Sequence, residues 1–119
     1  MFLRVFIGWE TSDLKAWLER EFLPGVFTDD ERSFIREVTC LSSEEAERYF
    51  RDDEDRICKP TPHAVQNLSW DEGCYWWLRS RGTGDAMFAA FVRPDGSIDK
   101  RGGSVAAFRA VRPALRLHL

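Results

Sequence analysis

The chain has 119 residues, of which 44% are hydrophobic and 13% aromatic, and it carries a formal net charge of −3. This composition is typical of one globular domain and excludes a disordered chain, while the charge is too small to indicate a partner. No apolar run approaches the roughly 20 residues of a membrane span, and the apolar opening at residues 1–7 is too short for a signal peptide. We expect no membrane association and a cytoplasmic protein if the chain is free-standing, or else a module of an exported or phage protein.

The first part of the chain predicts a strand followed by a helix. Residues 2–7 are rich in β-branched and aromatic side chains and end at Gly8, which is typical of a strand. Residues 11–13 are favourable N-cap residues, and Pro24 with Gly25 is expected to end the helix that starts there. The apolar stripe of this helix consists of Leu14, Trp17, Leu18 and Phe22.

A capping box predicts a second helix. Thr28 can bond the backbone N–H of Glu31, whose carboxylate reaches back to the start of the helix. We expect this helix to extend to about residue 37, with Phe34 and Ile35 facing inward.

A third helix is predicted by the same pairing of Ser42 with Glu45. Its buried residues are expected to be Ala46, Tyr49 and Phe50.

Residues 51–56 form a charge run that lacks the glycine and the final glutamate of a hand-type calcium loop, so a solvated loop is expected. Pro62 then favours one more helical turn, which contains His63.

The most informative strand is predicted at residues 74–80. Successive side chains of a strand point to opposite faces, so Trp76 and Trp77 are expected in packing layers on the two sides of a sheet. Further strands are predicted at residues 86–92, 97–99, 105–111 and 115–119. Residues 94–97 are typical of a hairpin turn, Gly102 and Gly103 predict a second turn, and Pro113 interrupts pairing.

These elements predict a single α+β domain over residues 1–119. Helices at about 11–66 are expected to pack on a small, mostly antiparallel sheet at about 74–119. The first and last strands are expected to pair, which brings the two termini together.

The cysteines, Cys40, Cys58 and Cys74, show no C-x-x-C spacing and lie on separate predicted elements. His63 and His118 do not complete a zinc pattern with them. We expect buried free thiols, no metal site and no cofactor.

Several segments together resemble a known family: residues 9–18, 27–31, 41–50, 56–64, 76–80, 95–96 and 111–114, with the strings Trp-Trp-Leu-Arg-Ser and Val-Arg-Pro-Ala. From about Trp9 onward they resemble a bacterial domain of unknown function, often found within larger surface or phage-associated proteins. The tail is similar to C-type-lectin-like modules, including fibrobacter-type major paralogous domains and the formylglycine-generating-enzyme superfamily. The resemblance implies a C-type-lectin-like fold with adjacent termini. Arg81 departs from the proline usual in that family.

The predicted function is a non-enzymatic binding module that recognises an unidentified protein through loops at one end of the sheet. The candidate binding residues are Arg79, Arg81, Thr83, Asp85, Lys100 and Arg101. The signature residues expected to be structural are Trp9, Trp17, Trp76, Trp77, Arg112 and Pro113. For Arg79 and Arg112 the alternative is a structural salt bridge or carbonyl clamp, with Glu10 or Asp13 as partner.

Three other functions are weighed. An enzyme of the formylglycine-generating type is disfavoured, because it needs a reactive cysteine pair and the three cysteines lie on unrelated predicted elements. Nucleic-acid binding through the arginine-bearing C-terminal half is disfavoured, because the basic side chains are not clustered into a phosphate track. A small phage-encoded or mobile-element-encoded inhibitor that docks to a host protein differs from the leading hypothesis only in its partner. The sequence does not indicate an oligomeric state.

Overall fold

A computed structural model describes residues 9–59, 74–85, 87–105 and 109–118 of the chain. In these ranges the protein is α+β, as predicted, with two antiparallel sheets. The α-helices are α1 (Asp13–Trp17), α2 (Leu23–Val26), α3 (Asp29–Arg32) and α4 (Ser43–Tyr49). The strands are β1 (Ile35–Thr39), β2 (Trp76–Arg81), β3 (Phe88–Val92), β4 (Ile98–Ser104) and β5 (Ala114–Leu117). Turns of 3₁₀-helix lie at Trp9–Thr11 and Glu54–Arg56, and a π-helical turn lies at Leu18–Phe22.

The first predicted helix starts as expected and ends later than expected. Ser12 Oγ accepts a hydrogen bond from the Lys15 backbone N–H at 3.1 Å, which caps the start of α1. α1, the π-helical turn and α2 follow one another without a break, so the end predicted at Pro24 and Gly25 is wrong. Pro24 lies in the first turn of α2, directly after the π-helical turn. There the wider helix tolerates a residue without an N–H group.

The helix predicted from Thr28 to about residue 37 is a single turn. Its capping box is present, since the Glu31 N–H donates to Thr28 Oγ1 and the Thr28 N–H donates to Glu31 Oε1. The chain then becomes strand β1, in which Ile35 is half-buried, and Phe34 is 63% exposed. The longer helix was wrong because β-branched residues follow the capping box and β5 supplies them with a strand partner.

β1 and β5 form a two-stranded antiparallel sheet in which Ile35 lies opposite Leu117 and Thr39 lies opposite Ala114. The predicted last strand is therefore present. Its expected partner at residues 2–7 lies outside the described residues. Within the described ranges β5 pairs with β1.

The second sheet has the strand order β2-β3-β4 and separates two hydrophobic cores. The first core comprises Leu14, Leu18, Val38, Cys40, Trp77, Ala89, Phe91 and Val105. The second core comprises Ala46, Trp76, Leu78, Ala90 and Val92. Trp76 and Trp77 are 0% and 4% exposed and belong to different cores, which confirms that the two indoles point to opposite faces. The sheet is thus a middle layer, with the first helix on one side and α4 on the other.

The predicted hairpin turn between β3 and β4 is confirmed. The Arg93 N–H donates to the Ser97 carbonyl at 2.8 Å, and Gly96 has φ +87°. The second turn, predicted at Gly102 and Gly103, is wrong, because both glycines lie within β4. Gly102, at φ +87°, allows β4 to bulge without reversing its direction.

The strand predicted at residues 105–111 is not seen in its described part. Ala110 forms an isolated parallel bridge with Trp76, and Val105 lies in a turn directly after β4. Residues 106–108 lie outside the described residues.

Arg109 places its guanidinium 4.8, 5.5 and 4.6 Å from the ring centres of three aromatic residues, and burial lowers its pKa. These aromatic residues are Tyr75, Trp77 and Phe91.

α4 begins at the predicted capping box, in which the Glu45 N–H donates to Ser42 Oγ and the Ser42 N–H donates to Glu45 Oε1. Ala46 is buried, as expected. Tyr49 is 53% exposed, so its predicted burial is wrong, because it lies in the last turn and α4 turns only one narrow face toward the sheet. Phe50, directly after the helix, is half-buried against the second core.

The charge run at residues 51–56 is solvated except at its end. Arg56 is 7% exposed and donates to the Gly96 carbonyl at 2.8 Å and to the Ala46 carbonyl at 3.3 Å. It also forms an ion pair with Asp53. The expectation of a wholly solvated loop was wrong at this position, because these carbonyls belong to α4 and to the turn between β3 and β4. The turn predicted around residues 62 and 63 lies outside the described residues.

Within the described ranges, no helix has the length and apolar content that crossing a membrane requires.

Candidate binding site

Most of the predicted binding residues meet at an open cleft between the start of α4 and the end of β2. Its volume is about 390 Å³. The cleft is lined by Ser42, Ser43, Glu44, Arg79, Ser80, Arg81, Thr83 and Lys100. Four of the candidate binding residues are in this lining, namely Arg79, Arg81, Thr83 and Lys100. We refer to it as the α4–β2 cleft.

Two β-bulges place side chains from both edge strands at this cleft. The register of β2 against β3 shifts between Trp77 and Arg81, and the register of β3 against β4 shifts between Ala89 and Phe91. A bulge leaves residues outside the regular ladder and redirects their side chains. The bulged residues that line the cleft are Arg79, Ser80 and Lys100.

The loop after β2 is fixed to the bulge of β4 by backbone hydrogen bonds. The Thr83 N–H donates to the Lys100 carbonyl at 3.1 Å, and the Gly84 N–H donates to the Arg101 carbonyl at 2.9 Å. A Cβ on Gly82 would lie 2.4 Å from the Arg101 carbonyl oxygen, so this approach requires glycine. The cleft wall is therefore held by the backbone of two different strands.

Arg79 anchors the floor of the cleft. Its Nη1 donates to the Cys40 carbonyl at 3.0 Å and forms an ion pair with Glu45. The structural salt bridge and carbonyl clamp considered from the sequence are thus both present. The partner is Glu45 and not Glu10 or Asp13.

Glu45 has an unusual electrostatic environment for a residue that is 7% exposed. Burial on its own would raise the pKa of Glu45, but the Ser42 backbone N–H and the Arg79 guanidinium lower it to about 2. Arg116 also donates to the second carboxylate oxygen, at 2.5 Å. Glu45 therefore remains ionised and keeps Arg79 in place.

The outer part of the cleft is cationic and rich in hydroxyl groups. Lys100 Nζ lies 2.6 Å from Oε1 of Glu47, a residue that is not part of the cleft lining. Both side chains are more than 40% exposed. Arg81 is exposed and forms no ion pair with any described residue. Against the three basic side chains of the lining stands one carboxylate, that of Glu44. The Ser43 N–H donates to Ser80 Oγ at 2.9 Å, which joins α4 to β2 across the cleft.

Two candidate binding residues lie outside the cleft lining. Asp85 Oδ1 accepts a hydrogen bond from the Met87 N–H at 2.9 Å and so stabilises its own loop. The Arg101 side chain packs over Gly84, where an added Cβ would lie 2.7 Å from Arg101 Cγ. These two side chains shape the loop next to the cleft.

The signature residues are placed in or beside the two cores. Trp9 and Trp17 are half-buried against the first core. The Arg112 guanidinium lies 4.9 Å from the centre of a Trp76 ring, and Pro113 is half-buried directly before β5.

Sequence reasoning missed half of the cleft lining. Ser42 was recognised only as a helix cap, and Ser80 only as a strand end; Ser43 and Glu44 carried no separate signal. What brings these residues together is contact between segments distant in sequence, such as the hydrogen bond from the Arg79 N–H to the Leu41 carbonyl at 2.9 Å. The capping box was the usable signal, because it placed polar groups at an exposed helix start.

Thiols and carboxylates do not form a metal cluster in the parts of the chain that the structure describes, where no three His, Cys, Asp or Glu side chains are grouped to hold an ion. All three cysteines are free, with Cys40 and Cys74 buried and Cys58 half-buried. Sequence analysis placed them on unrelated elements. The fold nevertheless brings Cys58 close to Cys74, whose pKa is raised by burial and, in addition, by the Cys58 thiol.

The comparison with protein families covers the cleft. The model of a domain of unknown function, DUF6273, matches residues 40–119, which is two thirds of the chain. The chain belongs to the DUF6273 family. The DUF6273 match contains α4, β2–β5 and every residue of the cleft lining, and it starts at Cys40, whereas the expected resemblance started near Trp9. No curated protein and no solved structure matches the chain.

Proposed function

We propose that this DUF6273 protein is a protein-binding module whose α4–β2 cleft receives an acidic segment of its partner. The observation that supports this most strongly is the charge of the lining, with three basic side chains and one carboxylate. Arg81 is the most available of them, since it is exposed and forms no ion pair with a described residue. An arginine in this state can bind a carboxylate with two parallel hydrogen bonds.

The construction of the cleft favours binding over turnover. Its eight described lining residues include hydroxyl groups and cations but no histidine or cysteine. The hydroxyl oxygens of Ser42 and Ser80 already accept hydrogen bonds, in the cap of α4 and in the contact between α4 and β2. A hydroxyl group without an adjacent base is a weak nucleophile, whereas it readily donates a hydrogen bond to a carboxylate.

We further infer that the fold is C-type-lectin-like. Support comes from helices on both faces of a small antiparallel sheet and from a loop and two bulges gathered at one end. In such an arrangement the core holds the loops and the loops recognise the partner. A host protein recognised by a phage-borne or mobile-element-borne inhibitor is one form that the partner can take.

The test is binding of a fluorescein-labelled oligoglutamate peptide, measured by anisotropy at low ionic strength. We expect saturable binding by the wild-type chain and none of the corresponding oligoglutamine peptide. Arg81→Glu should weaken binding about tenfold or more, since a charge-assisted hydrogen bond contributes about 1.5–3 kcal/mol. Arg36→Glu is the matched control, because Arg36 is exposed on β1 and undergoes the same charge reversal away from the cleft.

Equal loss of binding in Arg36→Glu and Arg81→Glu would show that only net charge matters, and this would overturn the proposal. A single-stranded oligothymidylate is the competing probe. If it binds more tightly than oligoglutamate and depends on Arg81, the cleft is a nucleic-acid site and not a protein-binding one.

A further inference from the structure

A second feature, separate from the α4–β2 cleft, concerns two cysteines. Cys58 follows the 3₁₀ turn at Glu54–Arg56, and Cys74 lies two residues before β2. Side chains two residues apart in an extended segment share a face, so Cys74 is directed to the same side as Trp76. Cys58 packs on that side too, against the second core.

A hydrogen bond next to the cysteines holds their two backbone segments together. Trp76 Nε1 donates to the Arg56 carbonyl at 3.1 Å in a buried position, and Arg112 Nη1 donates to the same carbonyl at 3.4 Å. Cys58 lies two residues after Arg56, and Cys74 two residues before Trp76. These contacts bring Cys58 and Cys74 close to each other on the same side of the sheet.

The two thiols differ in accessibility. Cys74 is 4% exposed, and burial together with the contact to Cys58 raises its pKa to about 12. Cys58 is half-buried and so can meet a reagent from solution. Cys40 is 0% exposed, and burial raises its pKa to about 12 as well.

We propose that Cys58 and Cys74 form a reversible disulfide by exchange with a small-molecule disulfide such as oxidised glutathione. The Cys58 thiolate attacks one sulfur of the reagent, forms a mixed disulfide and releases one glutathione thiolate. Cys74 then loses its proton and attacks the Cys58 sulfur, and the second glutathione thiolate leaves. The two cysteines are oxidised by two electrons in total, the reagent is reduced to two glutathione molecules, and the two thiol protons pass to the released thiolates.

The proposal is tested on the full chain in glutathione buffers of increasing oxidised fraction. After acid quench, mass spectrometry counts the free thiols, and non-reducing peptide mapping locates the linkage. In the wild type we expect loss of two thiols and a Cys58–Cys74 linked peptide. Cys40→Ser, the matched control, should give the same linkage. Oxidation should also raise the wild-type Tm by about 5 °C or more, because the bond closes the loop between the two cysteines.

The single variants separate the two steps. Cys58→Ser should keep both remaining thiols reduced under the same buffers, because both are buried. Cys74→Ser should stop at a glutathione adduct on Cys58. The proposal is overturned if the wild type itself stops at that adduct, links two chains through Cys58, or uses Cys40. The mapping of the wild-type chain decides this even where a variant does not fold.

Discussion

Glu45 of α4, which is buried, forms an ion pair with the half-buried Arg79 of β2. The other oxygen of the same carboxylate accepts a hydrogen bond from Arg116 of β5, at 2.5 Å. One carboxylate thus connects a helix to both sheets, and it also fixes the arginine at the floor of the α4–β2 cleft. Removing a partner from a buried pair costs more than the pair itself contributes, since the remaining charge stays buried.

Glu45 should make the free energy of unfolding depend on pH in the acidic range. The pKa of Glu45 is about 2 in the folded protein, against an ordinary value of 4.5. Because the folded value lies below the unfolded one, the contribution is complete above the unfolded pKa and is lost as pH falls through about 2. Its size is on the order of 3 kcal/mol. Urea unfolding at a series of pH values from about 6 to about 2 measures this contribution to the free energy of unfolding.

The variant Glu45→Gln should be less stable near neutral pH and should lose most of this acid dependence. Glu44→Gln is the matched control, since Glu44 is an exposed carboxylate in the preceding position of the same helix turn. An acid dependence that survives in Glu45→Gln and disappears in Glu44→Gln would show that the wrong carboxylate has been assigned.

Arg56 should tolerate no replacement by lysine. Its guanidinium donates to the Gly96 and Ala46 carbonyls and pairs with Asp53, and a single ammonium group cannot reproduce this fork. We expect Arg56→Lys to lower the free energy of unfolding by about 2–4 kcal/mol. Chemical denaturation measures this, with Arg51→Lys as the exposed control that should leave the midpoint unchanged. Equal midpoints for the two variants would refute the role of Arg56.

Gly96 should be intolerant of a methyl group. An added Cβ would lie 1.7 Å from the Asp53 carbonyl oxygen, and the residue has φ +87°. Gly96→Ala is therefore expected to lose about 2 kcal/mol or more of stability, from steric conflict and backbone strain together. Gly25→Ala is the opposite case, because Gly25 lies in α2 with nothing within 4 Å of the added Cβ. This variant should be more stable than the wild type by about 0.5–1 kcal/mol. Thermal melts of both variants check the difference in sign.

Arg109 should contribute to stability mainly through the contact of its guanidinium with aromatic rings. Its guanidinium faces the rings of Tyr75, Trp77 and Phe91. Arg109→Met keeps an unbranched apolar stem and removes the cation, so we expect a loss of about 1–2 kcal/mol that changes little with added salt. The tryptophan emission spectrum should shift at the same time. Arg36→Met serves as the exposed comparison, and a loss that vanished in high salt would contradict the ring contact.

Local chemistry was read correctly from the sequence where one short segment decides the structure. The alternation at Trp76 and Trp77 predicted two packing layers, and the spacing of Ser42 and Glu45 predicted the start of α4. The positive φ of Gly96 follows from its position in a hairpin turn. Each of these depends on side-chain periodicity, a cap or a turn within a few residues.

Errors arose where a distant segment decides the structure. The backbone after Thr28 becomes a strand because β5 is available to pair with it, and Gly102 belongs to a bulge because the loop after β2 hydrogen-bonds there. The cleft was half predicted for the same reason. Arg79 and Lys100 were predicted as part of a binding surface at one end of the sheet, whereas the start of α4 reaches them only through tertiary contacts. The burial of Arg56 and the proximity of Cys58 to Cys74 had no local signal.

The family match begins at Cys40, but the strand that pairs with β5 ends at Thr39. A fragment trimmed to the matched residues would therefore leave one backbone edge of β5 without a neighbour and would uncover Trp77 by removing Leu14, Leu18 and Val38. Open edges of this kind recruit strands from other molecules. Trimming at the family boundary is thus expected to give material prone to edge-to-edge association, and fragments for biochemical work should retain β1.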